Sequence, residues 1–100
     1  MVLVYITCKD KEEARRISKH LLEKRLIACS NMFPISSMYW WKGKIEEGNE
    51  VVILAKTKEG RYNKIKEEVK KMHSYDVPAI VKIPTEAEEG YQNWVERVIS

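Results

Sequence analysis

Met38-Tyr39-Trp40-Trp41-Lys42-Gly43-Lys44-Ile45 sets two adjacent tryptophans against a Lys-Gly pair, and glycine at that place suits the tight turn of a β-hairpin. The flanking runs, Ala28 to Trp41 and Lys44 to Thr57, are fourteen residues each and rich in β-branched and aromatic residues. At ~3.3 Å per residue each arm reaches roughly 46 Å, about twice the reach of the apolar run from Val2 to Cys8. The hairpin therefore has to overhang its own sheet. An overhang bearing Met38, Tyr39, Trp40 and Trp41 exposes apolar area and unpaired strand edges, which a soluble chain covers with a neighbour. A homo-oligomer follows, with Met38, Trp40 and Trp41 as its expected interface.

Working outward, Val2 to Cys8 has the length and apolarity of a central strand. Asp10 followed by Glu13 resembles a capping box, and Ala14, Ile17, Leu21 and Leu22 then keep to one helical face. Lys24 and Arg25 supply cations where that helix should end. Beyond the hairpin, Tyr62, Ile65, Val69 and Met72 mark a second amphipathic helix. Ala79 to Ile83 is a short strand closed by Pro84, and Tyr91, Trp94, Val95 and Val98 mark a last helix. The order β-α-β-β-α-β plus a terminal helix predicts an α+β, ferredoxin-like split βαβ fold with an antiparallel sheet, in one domain over residues 1–100. Pro34 interrupts the first hairpin arm, and a proline there requires an edge or a bulge. It marks where the arm leaves its own sheet.

Composition narrows the function. Lys and Arg number 18 against 15 acids, for a net charge of +3 with the two signs interspersed. No basic block points to nucleic acid, and the strand Glu50 to Ala55 has none of the aromatics that stack bases. No apolar run approaches a membrane span, and a strand starting at Val2 leaves no room for a signal peptide, so a cytoplasmic protein is expected. Cys8 has no second thiol nearby, unlike the Cys-x-x-Cys of metal chaperones. The loop after the first strand lacks the glycine and arginine of a phosphate cradle, and no Ser-His-Asp or zinc-hydrolase pattern occurs. The chain is expected to be non-enzymatic.

Arg25-Leu26-Ile27-Ala28-Cys29-Ser30-Asn31, the stretch Ser37 to Ile45, Lys56-Thr57, His73-Ser74-Tyr75-Asp76-Val77-Pro78-Ala79-Ile80 and Tyr91-Gln92-Asn93-Trp94 together resemble, in collinear order, the CutA family of divalent-cation tolerance proteins. The resemblance implies a homotrimer of ferredoxin-like subunits whose long hairpins interlock about a threefold axis. It also implies a link to copper and other divalent metal ions, with no cofactor required. Three departures stand out. Ser74 and Asp76 occupy places where the family pattern usually has proline and glutamate, and Ala79 stands where an acid is common.

Two sets of candidate site residues result. Cys29, which matches a cysteine of many family members, His73 and Asp76 are the candidate metal ligands. The alternatives are a free buried thiol for Cys29 and a hydrogen-bonded hinge for His73. Lys56, Tyr75, Glu50 and Tyr39 form a candidate ligand cleft, where the resemblance places a lysine-threonine pair between subunits. With His73 this cleft is expected to receive an anionic small molecule. That second set supports a rival function, a PII-like trimeric sensor or adaptor without a metal. A turn at Lys42-Gly43 sets Tyr39 opposite Glu46 and Cys29 opposite Lys56. Cys8 and Cys29 fall at opposite ends of the sheet, so no disulfide is expected between them.

Overall fold

The computed structural model describes residues 1–99. Strand β1 is Val2–Cys8, helix α1 Lys11–Glu23, β2 Cys29–Trp41, β3 Lys44–Thr57, α2 Tyr62–Met72, β4 Ile80–Pro84 and α3 Glu89–Val98. The four strands form an antiparallel sheet in the order β2-β3-β1-β4, the ferredoxin-like split βαβ arrangement. Among the described residues no helix is long and apolar enough to cross a membrane.

Strict alternation along β1 produces the main core. Val2, Val4, Ile6 and Cys8 are buried, and their pairing with Thr57, Ala55, Ile53 and Val51 directs the odd-numbered residues of β3 to the same face. Ala14, Ile17 and Leu21 of α1 and Ile65 and Val69 of α2 close over that face. Leu22 differs from expectation at 40% exposed, because one residue past Leu21 it has turned some 100° toward the rim. Ser18 takes the inward place and meets the Ser30 hydroxyl at 2.7 Å. Cys29 points the other way and touches Tyr91 of α3, so α3 lies across the opposite face and contributes buried Val95.

Helix α1 begins as the sequence predicts and ends in a less expected way. Asp10 caps it by accepting from the Glu13 amide at 2.8 Å. At its far end the Arg25 amide donates to the Leu22 carbonyl and the Leu26 amide to that of Leu21, both at 3.0 Å. This is a Schellman closure with Arg25 at φ 58°, a left-handed conformation usually left to glycine. Strand β2 then starts at Cys29, one residue later than expected.

The hairpin overhangs its sheet. Residues of β3 from Val51 onward pair with β1, whereas β2 and β3 stay paired out to Trp41 and Lys44. The Lys42-Gly43 turn has φ of 51° and 78°, the type I′ geometry whose twist matches that of the strands. Pro34 pairs with Val51, opposite the last residue of β1, and belongs to the edge strand β2. The arm leaves its own sheet there. Beyond it Met38 is 70% and Trp40 71% exposed, too much apolar surface for ordinary side-chain scatter.

A second feature fixes α2 against α1. Glu68 is buried, yet His20 Nε2 donates to its carboxylate at 2.8 Å and Lys71 Nζ at 3.1 Å, with Lys24 Nζ at 3.6 Å. The His20 and Lys71 hydrogen bonds hold the carboxyl at about 2, down from 4.5, against the opposing effect of burial. A depressed carboxyl contributes stability that is complete above its ordinary pKa and disappears as pH falls through the folded one. The melting-temperature gap between wild type and Glu68→Gln, at fixed protein concentration, should therefore be full above pH ~5 and shrink as pH approaches ~2. A gap that stays constant across that window would remove Glu68 as the titrating group.

Candidate functional site

Two neighbouring features meet at the end of β1 where the overhang begins. One is a buried polar knot under α1, the other an open groove beside the hairpin, and the turn from His73 to Ala79 connects them.

The knot centres on Glu13. In sequence it looks like a cap partner, and it does reach back to the Lys9 amide at 3.0 Å through Oε1. It also lies four residues before Ile17 on the apolar stripe of α1, which places its carboxylate inside the protein with no exposed surface. That position in the stripe was the available signal. Its Oε2 accepts from the Ser74 amide at 2.9 Å, joining the start of α1 to the turn after α2. Burial pushes the Glu13 carboxyl up, but hydrogen bonds from the Lys9 amide and from the Ser74 side chain and amide outweigh it and keep the group below its ordinary range.

His73 is the hinge of that turn. Its ring is fully buried, and Nε2 donates to the Thr7 carbonyl at 2.8 Å, since a carbonyl can only accept. Nδ1 accepts from the Tyr75 amide at 3.1 Å and lies 4.0 Å from Glu13 Oε1. Cys8, a buried free thiol, completes the knot. Burial first, then the Glu13, Glu50 and Asp10 carboxylates, push that thiol up to about 12. Cys8, Glu13 and His73 present a sulfur, an oxygen and a nitrogen all within 4.8 Å of one another.

Within one chain the expected metal set does not converge. Cys29 opposes Lys56, while His73 binds the carbonyl of Thr7, which opposes Val52, a separation of ~13 Å along β3. Asp76 is exposed on the turn, whereas the His73 ring is buried. The His73 ring lies beside Cys8 and not Cys29, because the register that brings the ends of β1 and α2 together is a tertiary fact.

The groove has a volume of about 830 Å³ and is lined by, among others, Tyr5, Tyr39, Trp41, Glu50, Tyr75 and Asp76. Three members of the expected cleft therefore share it. The Tyr75 hydroxyl donates to Glu50 Oε2 at 2.6 Å, and burial, followed by that carboxylate, holds the phenol well above its ordinary range. Lys56 is absent from the groove. It sits six residues along β3 from Glu50, ~20 Å away, where its ammonium donates to Cys29 Sγ at 3.7 Å and contacts the Asn31 side-chain oxygen. With Glu50 and Asp76 in the lining and no lysine or arginine, the groove is acidic. The expected anion receptor does not form in one chain.

The chain matches the family described as CutA1 divalent ion tolerance protein over residues 2–98. Over 97 residues it is 44% identical to the divalent-cation tolerance protein CutA of Archaeoglobus fulgidus, covering 96% of this chain and 95% of that one. The solved structure of a periplasmic divalent cation tolerance protein CutA from the same organism superposes with a TM-score of 0.97 at 42% identity, covering 100% of both chains. The apo structure of a PII-like protein CutA from Nostoc sp. PCC 7120 gives 0.92 at 25% identity, covering 100% of this chain and 98% of that one. The cytoplasmic location expected from the sequence is withdrawn, because the Archaeoglobus fulgidus structure carries a periplasmic description.

The Tyr75–Glu50 bond ties the turn to the overhanging ribbon through side chains and can be cut without changing shape. Tyr75→Phe should cost about 1–2 kcal/mol in denaturant unfolding at fixed protein concentration, as expected for a half-buried hydrogen bond to a charged group. An unaltered midpoint would show that the turn is held by Glu13 and His73 alone.

Proposed function

This chain belongs to the CutA1 divalent ion tolerance protein family, and from that membership we propose that it is a non-enzymatic homotrimer acting in the response to divalent metal ions by binding copper or a similar cation. The observation that carries the reading is the match itself, which runs through nearly the whole chain and includes relatives described as divalent-cation tolerance proteins. The overhang supports the oligomer: Met38, Trp40 and Trp41 project from a ribbon that has no further sheet of its own to pack on. In this reading each hairpin covers its neighbour's.

A second reading is favoured by the groove. An aromatic, acidic cleft containing Tyr39, Glu50 and Tyr75, in a fold shared with a PII-like protein, suits a small-ligand sensor or adaptor with no direct metal function. Its charge selects neutral or cationic ligands over nucleotides.

Isothermal titration of the reduced, tag-free protein with Cu(II) and Zn(II), run beside its native mass, tests the metal reading. Submicromolar binding at a whole number of sites per trimer is the expected result. Binding of no fixed stoichiometry would end it and direct attention to the groove. For the oligomer, Trp41→Ala should shift sedimentation toward smaller species, since truncating a buried interface tryptophan commonly costs ~2 kcal/mol or more. Sedimentation identical to wild type would count against the interlocked hairpins.

A further inference from the structure

Cys8, Glu13 and His73 come from the end of β1, the first turn of α1 and the end of α2, and their potential ligand atoms lie within 4.8 Å of one another. His73 and Glu13 are supported in the way metal ligands are supported. His73 gives its Nε2 proton to the Thr7 carbonyl at 2.8 Å, which fixes the tautomer and leaves the Nδ1 lone pair 4.0 Å from Glu13 Oε1. The other oxygen of Glu13 is held by the Ser74 amide at 2.9 Å. A backbone carbonyl behind a ligating histidine and an amide behind a ligating carboxylate are the partners that orient such ligands.

We propose that Cys8 Sγ, Glu13 Oε1 and His73 Nδ1 form a closed binding site for a borderline divalent cation of the Zn(II) or Co(II) kind. This deepens the divalent-metal reading above and rests on it. The donor set decides the class: one sulfur, one nitrogen and one carboxylate oxygen are too soft together for magnesium or calcium and suit a late first-row ion. Charge agrees, since a thiolate and a carboxylate neutralise a divalent cation while the imidazole stays uncharged, and a neutral cluster is the form a buried site tolerates. Bonds of 2.0–2.3 Å at tetrahedral angles need ligand atoms roughly 3.3–3.8 Å apart, so the 4.0 Å between Nδ1 and Oε1 closes by about half an ångström and the sulfur, in a set spanning up to 4.8 Å, moves in by about 1 Å.

Binding is a substitution. The Cys8 thiol releases its proton to solvent as the sulfur–metal bond forms, and the Tyr75 amide, which donates to Nδ1 at 3.1 Å, yields that lone pair to the cation. No oxidation or reduction is involved.

Titration of the reduced full-length chain with Co(II), followed by absorption, reads the site directly. One equivalent per chain should give a near-ultraviolet sulfur-to-cobalt charge-transfer band that Zn(II) abolishes. Cys8→Ser should lose the band and Cys29→Ser should keep it, while His73→Gln should weaken binding by about tenfold or more. If Cys8→Ser does not fold, Cys8→Ala puts no polar group in the core and serves in its place. A band that survives loss of Cys8, or disappears with Cys29, overturns this site and leaves the metal reading standing. Failure of the wild type to bind Co(II), Zn(II) or Cu(II) overturns both.

Discussion

The pairing of a seven-residue β1 with a fourteen-residue β3 is the constraint from which the rest of the molecule follows. Half of β3 is a central strand, buried by β1 and two helices. The other half has only β2 beside it, so the same strand changes from core to projecting ribbon at Val51. Two-stranded ribbons in water are marginal, and this one carries tryptophans where polar residues would suit an isolated surface. Core burial and apolar exposure are thereby placed on one element.

The junction of the two halves is where chemistry collects. Glu13 ties the head of α1 to the turn after α2 through opposite oxygens of one carboxylate. That turn in turn supplies His73 to the interior and Tyr75 to the groove. A single buried charge with two amide donors is better compensated than an unpaired one, and it spares the turn any need for regular secondary structure. Asp76 is exposed, whereas Ser74 serves the buried Glu13 carboxylate with both its side chain and its backbone amide, an amide that any residue but proline supplies. A proline at this place would remove both donors.

Much of this was legible in the chain. Alternation in β1, the i, i+3, i+7 spacing in α1 and α2, and the Lys-Gly turn are local patterns, and local patterns fix element type and order. Pro34 even marked the departure point, because a missing donor has few permitted places in a sheet. The groove was legible in part: Tyr39, Glu50 and Tyr75 share it, but Lys56 belongs to the far end of β3. The Cys8–Glu13–His73 cluster was not visible, since its members are separated in sequence and are joined only by strand register. Glu13 shows the limit well. A glutamate three residues after an aspartate has an obvious local role, and that role hid the fact that the same position faces the core.

Pro34 also has a consequence for solubility. Strand β2 is thirteen residues long and lies on the edge of the sheet, the shape of a template for open-ended strand addition. A proline can hold its place in that ladder only with its nitrogen turned to the free edge. The edge then lacks a donor midway along its length, and a stranger's strand finds two short docking rails where it would otherwise find one long one. The chain can keep a long, apolar, sticky arm because that arm cannot be extended indefinitely.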